Sequence, residues 1–151
     1  MLSEILPQKL YVSDEHAAVN YQWLDQFNIK TLLRLDRDAL YRKSWEEQVG
    51  RRIFKTVHLI DGGVGNTVES FLEAVEIVKT AFLEHTVPIL VYCMAGVSRS
   101  TCICGLSLYA MKYQPSFDAA MAYMCTQHYP TNPNSEIANF VRANVISKID
   151  P

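Results

Sequence analysis

The sequence predicts a single α/β domain over residues 1–151, with a central, mostly parallel sheet of four to five strands flanked by helices. Three observations carry that reading. Short β-branched runs, too short to be helices, alternate with longer segments whose apolar residues recur at helical spacing. The chain opens strand, helix, strand, which is the start of a βαβ unit. Further on, the apolar run Pro88–Tyr92 passes through the small-residue stretch Met94–Arg99 into a helix over Ser100–Met111, where Ile103, Leu106 and Ala110 recur at helical spacing. At 151 residues and 49% hydrophobic composition, the chain has enough apolar material for one proper core.

Taken in order, Ser3–Val12 reads as an N-terminal arm that ends in a short edge strand, Lys9–Val12. Ser13 or Asp14 caps a helix to about Phe27, with Ala17, Ala18, Tyr21, Trp23 and Leu24 on its apolar side, and Asn28 closes it. Ile29–Leu35 is the next strand. Asp36–Arg52 is the least apolar part and reads as a solvated, mixed-charge helix, with Arg37 and Arg42 as candidates for holding acidic flanks of a ligand. Ile53–Ile60 is a strand expected to lie beside Pro88–Tyr92, and His58 within it reads as a satisfied strand histidine. Asp61–Asn66 is a loop that its glycines loosen. Asn66, with Glu69 three residues on, reads as the cap of a helix carrying Val68, Phe71, Val75, Val78 and Phe82 on one stripe. After a turn over Lys112–Ser116, Ser116 caps a helix to about His128, with Phe117, Ala120, Met121 and Met124 inward and Cys125 a buried thiol. Asn134 or Ser135 starts a final helix through Ile137, Phe140, Val141 and Val145.

Composition excludes several classes. A net charge of −2 argues against a general nucleic-acid binder. No run is long enough to span a membrane and no signal peptide is visible, so no membrane partner is expected. The four cysteines, Cys93, Cys102, Cys104 and Cys125, have neither disulfide-framework nor metal-ligand spacing, which points to a reducing, cytoplasmic setting and to no metal.

The chemistry concentrates at Cys93–Ser100. Backbone N–H groups of a tight loop over Met94, Ala95, Gly96, Val97 and Ser98 form a concave nest for an anion, and the helix behind adds its positive end. Arg99 offers a planar fork that matches two phosphate oxygens. Cys93, at the floor of the loop, sits where the same field favours thiolate. Each residue alone has a plainer reading, a buried thiol or a solvated arginine; the joint pattern of strand, Cys, small residues, Arg-Ser and helix does not. Asp61 stands at the same edge, where it could serve as a general acid or merely as turn chemistry before glycines.

Cys93, five residues, Arg99 and then Ser100, with Ala95-Gly96-Val97-Ser98 inside, resembles the signature of the cysteine-dependent protein phosphatases, and its dual-specificity branch above all. The opening strand–helix–strand order is similar too, and the resemblance covers nearly the whole chain. It implies hydrolysis of phosphotyrosine and phosphoserine/phosphothreonine in proteins through a phosphocysteine, without a cofactor. Cys93 is then the nucleophile, Arg99 and the loop N–H groups the phosphate clamp, and Ser100 the hydroxyl that eases thiolate departure. The resemblance also makes Asp61, 32 residues before the cysteine, the general acid. Pro133-Asn134 resembles the family's Pro-Asn pair, whose Asn supports the loop from behind; Asn134 as a simple helix cap stands equally. One position departs from the pattern. Tyr92 stands where the family has a His that helps hold the loop and tune the cysteine, and this keeps open an alternative: a low-activity or inactive domain that binds phosphoproteins.

Overall fold

The computed structural model describes residues 2–40, 52–62 and 64–149. Five strands, β1 (Leu2–Leu6), β2 (Leu10–Ser13), β3 (Thr31–Arg34), β4 (Ile53–Thr56) and β5 (Ile89–Tyr92), form one sheet in the order β1-β2-β5-β3-β4. The β1–β2 hairpin is antiparallel, and the β2–β5, β5–β3 and β3–β4 pairings are parallel. Around the sheet lie α1 (Glu15–Ala18), α2 (Tyr21–Gln26), α3 (Val68–Leu83), α4 (Arg99–Ala110), α5 (Phe117–Gln127) and α6 (Ser135–Phe140). The last of these runs on through a wider turn at Val141–Val145 into α7 (Ile146–Ile149). No described helix is long and apolar enough to cross a membrane.

Strand β5 is central because all four of its residues are buried, and successive side chains point to opposite faces. Ile89, Val91 and, just past the strand, Cys93 face the larger core, built from α3 to α6. Leu90 and Tyr92 face a smaller cluster with Tyr11, Ala18, Leu24, Leu32 and Ala39. Helix α4 crosses the larger core with Ser100 through Leu108 all buried, as expected of a helix with neighbours on every side. Its Gly105 permits that: a Cβ there would lie 2.2 Å from the Met121 sulfur on α5.

Several expectations need correcting. The N-terminal arm is itself strand β1, so β2 is interior and β1 is the edge. The single helix expected to Phe27 is two, because Asn20 caps a second start by accepting from the Trp23 N–H, the local competition that makes Asn poor inside helices. Strand β4 stops at Thr56 and lies beside β3, not β5. The chain still reaches the site, since Val57 N–H donates to Arg34 O and Leu59 N–H to Leu35 O, carrying residues 57–61 along the end of β3. The polar stretch begins with a turn and a buried Asp36 rather than a helix; Arg42 and the rest of 41–51 lie outside the described residues, as does Gly63. Thr67, not Asn66, caps α3, by accepting from Ser70 N–H. Cys125 is exposed, its thiol 3.8 Å from Thr131 O.

Candidate active site

The turn from β5 into α4 is held by backbone partners on several sides. Met94 O accepts from Glu15 N–H at 3.2 Å, and Val97 O from Asn132 N–H at 3.0 Å. Val97 O also accepts from the Thr101 hydroxyl at 2.7 Å. Gly96 has φ +70, and a Cβ on it would lie 2.6 Å from Asp14 N and 2.7 Å from Ser13 C. Backbone closes on backbone there, so this position admits glycine alone.

Each reactive group has its own support. Cys93 Sγ lies 3.2 Å from Ser100 Oγ, to which the thiol donates, and Ser100 is fully buried at the start of α4. The Arg99 guanidinium meets Asp36 Oδ2 at 2.8 Å and Leu59 O at 3.3 Å. Asp36 is 3% exposed, and its other oxygen accepts from Asp38 N–H at 2.9 Å. Asp61 accepts from the Ser98 hydroxyl at 2.5 Å, and that hydroxyl accepts in turn from Asn134 N–H at 2.8 Å. The Asn134 side chain caps α6 through Glu136 N–H, so this residue is a cap by its side chain and a loop contact by its backbone. Asn66 clamps the neck of the Asp61 loop, accepting from Ile60 N–H and donating to Ile60 O and Gly62 O.

Asp61, Cys93, Ala95, Val97, Ser98, Arg99 and the turn residues Asn132 and Asn134 line one open cavity of about 390 Å³. Met94 stands at the loop with 43% exposure. A sulfur, a guanidinium, a carboxyl and the loop residues Ala95, Val97 and Ser98 therefore share one concave site. That set can accept a tetrahedral oxyanion, attack it and move a proton on its far side. Tyr92 is fully buried on the opposite face of the sheet, where its hydroxyl donates to Leu40 O at 3.0 Å. His58 lies just past β4, its Nδ1 accepting from Arg37 N–H at 3.3 Å. Among the described residues, no three His, Cys, Asp or Glu side chains cluster as a metal site would require.

Two residues at the site escaped the sequence reading. Asp36 follows β3 directly at the edge that also carries Cys93 and Asp61, and that shared edge was the available signal. His128 is 4% exposed, with Nε2 2.7 Å from Gly96 O and Nδ1 2.6 Å from Ser3 Oγ. Burial holds its pKa below the usual imidazole value, against the bond to Gly96 O. Nothing in the sequence around it signals this. Burial also pushes the Cys102 thiol up to about 12 and the Cys104 thiol higher still, so neither carries a ready thiolate.

The catalytic-domain model of the dual specificity phosphatases matches residues 10–143. No curated protein matches the sequence significantly. Among solved structures, the chain is similar to the human tyrosine phosphatase-like serine/threonine/tyrosine-interacting protein, at 19% identity and a TM-score of 0.78 over 94% of this chain and 93% of that one. It is similar to a mouse putative dual specificity phosphatase crystallised with zinc tungstate, at 18% identity and a TM-score of 0.80 over 94% and 84%. A third likeness is to the PTP-2 phosphatase of Cydia pomonella, at 17% identity and a TM-score of 0.77 over 94% and 88%.

Proposed function

This chain belongs to the dual specificity phosphatase family, and from that premise we propose that it hydrolyses phosphotyrosine and phosphoserine/phosphothreonine in proteins through a phosphocysteine. The observation that carries the reading is the opening of Cys93, Arg99 and Asp61 onto a single cavity. In the first step the Cys93 thiolate attacks phosphorus in line, forming a P–S bond as the P–O bond to the side chain breaks. Arg99 and the loop N–H groups hold the equatorial oxygens throughout. Protonated Asp61 gives its proton to the departing oxygen. In the second step water attacks the phosphocysteine, its proton passes to the Asp61 carboxylate, and the P–S bond breaks. The Ser100 hydroxyl, already 3.2 Å from Sγ, donates to the sulfur as it leaves with the electron pair. The Ser98 hydroxyl holds Asp61 over the cavity between turnovers. A reducing cytoplasm suits an enzyme that works through a free thiolate.

The test is phosphate release from an aryl phosphate and from phosphotyrosyl and phosphothreonyl peptides, with Cys93→Ser beside the parent. Turnover by the parent on both peptide types, a covalent phosphoprotein on acid quench, and loss of both in Cys93→Ser are expected. A parent that binds phosphopeptide but releases no phosphate would replace this reading with a phosphoprotein-binding domain.

A further inference from the structure

Behind the phosphate loop lies a buried histidine for which the proposed chemistry has no use. His128 follows the last turn of α5, and its ring bridges two distant segments. One nitrogen meets the carbonyl of Gly96 in the loop, and the other meets the hydroxyl of Ser3 on β1. A carbonyl only accepts, so Nε2 carries the hydrogen that bonds Gly96 O. In the neutral ring Nδ1 is then an acceptor, and the Ser3 hydroxyl donates to it. The hydroxyl thereby selects the tautomer that the loop needs.

We propose that His128, with its tautomer set by Ser3, is the positioning residue that fixes the Gly96–Val97 peptide so that its N–H faces bound phosphate. The peptide is planar and trans, so its C=O and N–H point in opposite directions. Holding the Gly96 carbonyl back toward His128 turns the Val97 N–H toward the cavity that Val97 lines. The lock is needed because Gly96, at φ +70, imposes little steric barrier to rotation of that peptide. A flip would aim a carbonyl oxygen at the anion and remove a donor at once. The β1–β2 hairpin unites the parts of the device. Ser3 pairs with Val12 across it, and the end of β2 at Ser13, with Asp14 after it, is the backbone that crowds Gly96 from the other side. The loop glycine is thus held between the β2–α1 corner and the histidine ring.

The catalytic consequence rests on the phosphatase reading, but oxyanion binding does not, so the two are measured separately. Inorganic tungstate binding is followed by titration calorimetry for the parent, His128→Phe, His128→Gln and Ser3→Ala, with melting temperatures and steady-state kinetics on an aryl phosphate. His128→Phe keeps the ring's bulk and loses both nitrogens; the expected result is tungstate affinity weakened by about tenfold to a hundredfold, the equivalent of one buried hydrogen bond. His128→Gln, whose amide can replace the Nε2–H donor, restores most of that affinity. Ser3→Ala leaves the fold intact and weakens binding by about threefold, the smaller cost of losing the tautomer's anchor. Unchanged tungstate affinity in folded His128→Phe overturns the proposal, even if the melting temperature falls. If His128→Phe does not fold, unchanged affinity in Ser3→Ala, with no shift of the parent's His128 ring nitrogen resonances on adding tungstate, overturns it equally. A parent without turnover whose tungstate affinity still follows this order sinks the phosphatase reading and leaves the positioning role standing.

Discussion

Replacing Asp36 with Asn removes a charge and one acceptor from a carboxylate that uses both oxygens. Oδ2 receives the Arg99 guanidinium at 2.8 Å and Oδ1 the Asp38 N–H at 2.9 Å. An amide has one oxygen, so whichever way it turns, its NH₂ faces a donor and one of the two bonds is lost. Both partners are shielded, with side-chain exposures of 5% for Asp36 and 14% for Arg99. Removing one member of a fully buried pair costs about 3–5 kcal/mol. Here the arginine keeps Leu59 O at 3.3 Å and some solvent, so about 2 kcal/mol is the expected loss. In a chain of this length that lowers the melting temperature by about 4–8 °C. The deficit should shrink when an oxyanion is added, because the anion supplies the charge that Asp36 no longer does. Differential scanning fluorimetry of parent and Asp36→Asn, with and without tungstate, reads both quantities. A melting shift below about 1 °C, or a deficit that tungstate leaves unchanged, would refute the view that Asp36 holds Arg99 in waiting.

Three further outcomes follow from the same geometry. Gly96→Ala forces a Cβ to 2.6 Å from Asp14 N at φ +70; destabilisation by about 2–3 kcal/mol with loss of tungstate binding is expected by melting and calorimetry. Ser98→Ala takes the hydroxyl from Asp61 and the acceptor from Asn134 N–H; kcat on an aryl phosphate should fall about tenfold with KM nearly unchanged, the mark of a misplaced acid rather than a lost clamp. The third concerns pH. Burial lowers the folded-state pKa of His128, so between that value and about 6.5 the unfolded chain binds more protons than the folded one. Stability from this group is therefore full above about pH 6.5 and falls as pH drops toward the folded pKa. Urea midpoints from pH 7.5 to 5 should decline less in His128→Gln than in the parent.

The strand, loop and helix around Cys93 were legible because three local signals agree there: a β-branched run, small residues that curl, and helical periodicity after Arg99. The split of the first helix was less so, since Asn20 lies within an apolar pattern that continues on both sides; only the cap geometry separates α1 from α2. The order of strands was misjudged for a different reason. Periodicity identifies a strand but not its neighbour, and β3 was free to take the place beside β5 that β4 was expected to hold. Asp36 was hidden by its company, an acid at the head of a charged stretch, although it is buried against Arg99. Cys125 was misplaced by its residue type, which is more often buried than not. His128 could not have been found, because its partners at positions 3 and 96 are brought to it by the hairpin and by α4.

The ties that shape the loop between β5 and α4 have a kinetic side. The bonds from Gly96, Ser98 and Arg99 to His128, Asn134, Asp61 and Leu59 join residues 32 to 40 positions apart in the chain. Closures of that span are made after local helices have formed, since their entropy must be met before the contacts reward it. A folding chain should therefore regain its helical signal before it can hold an oxyanion. Cys93 then acquires the groups proposed as its clamp, its acid and its backbone cradle together, at the end, so a half-folded molecule carries a thiol without a site around it.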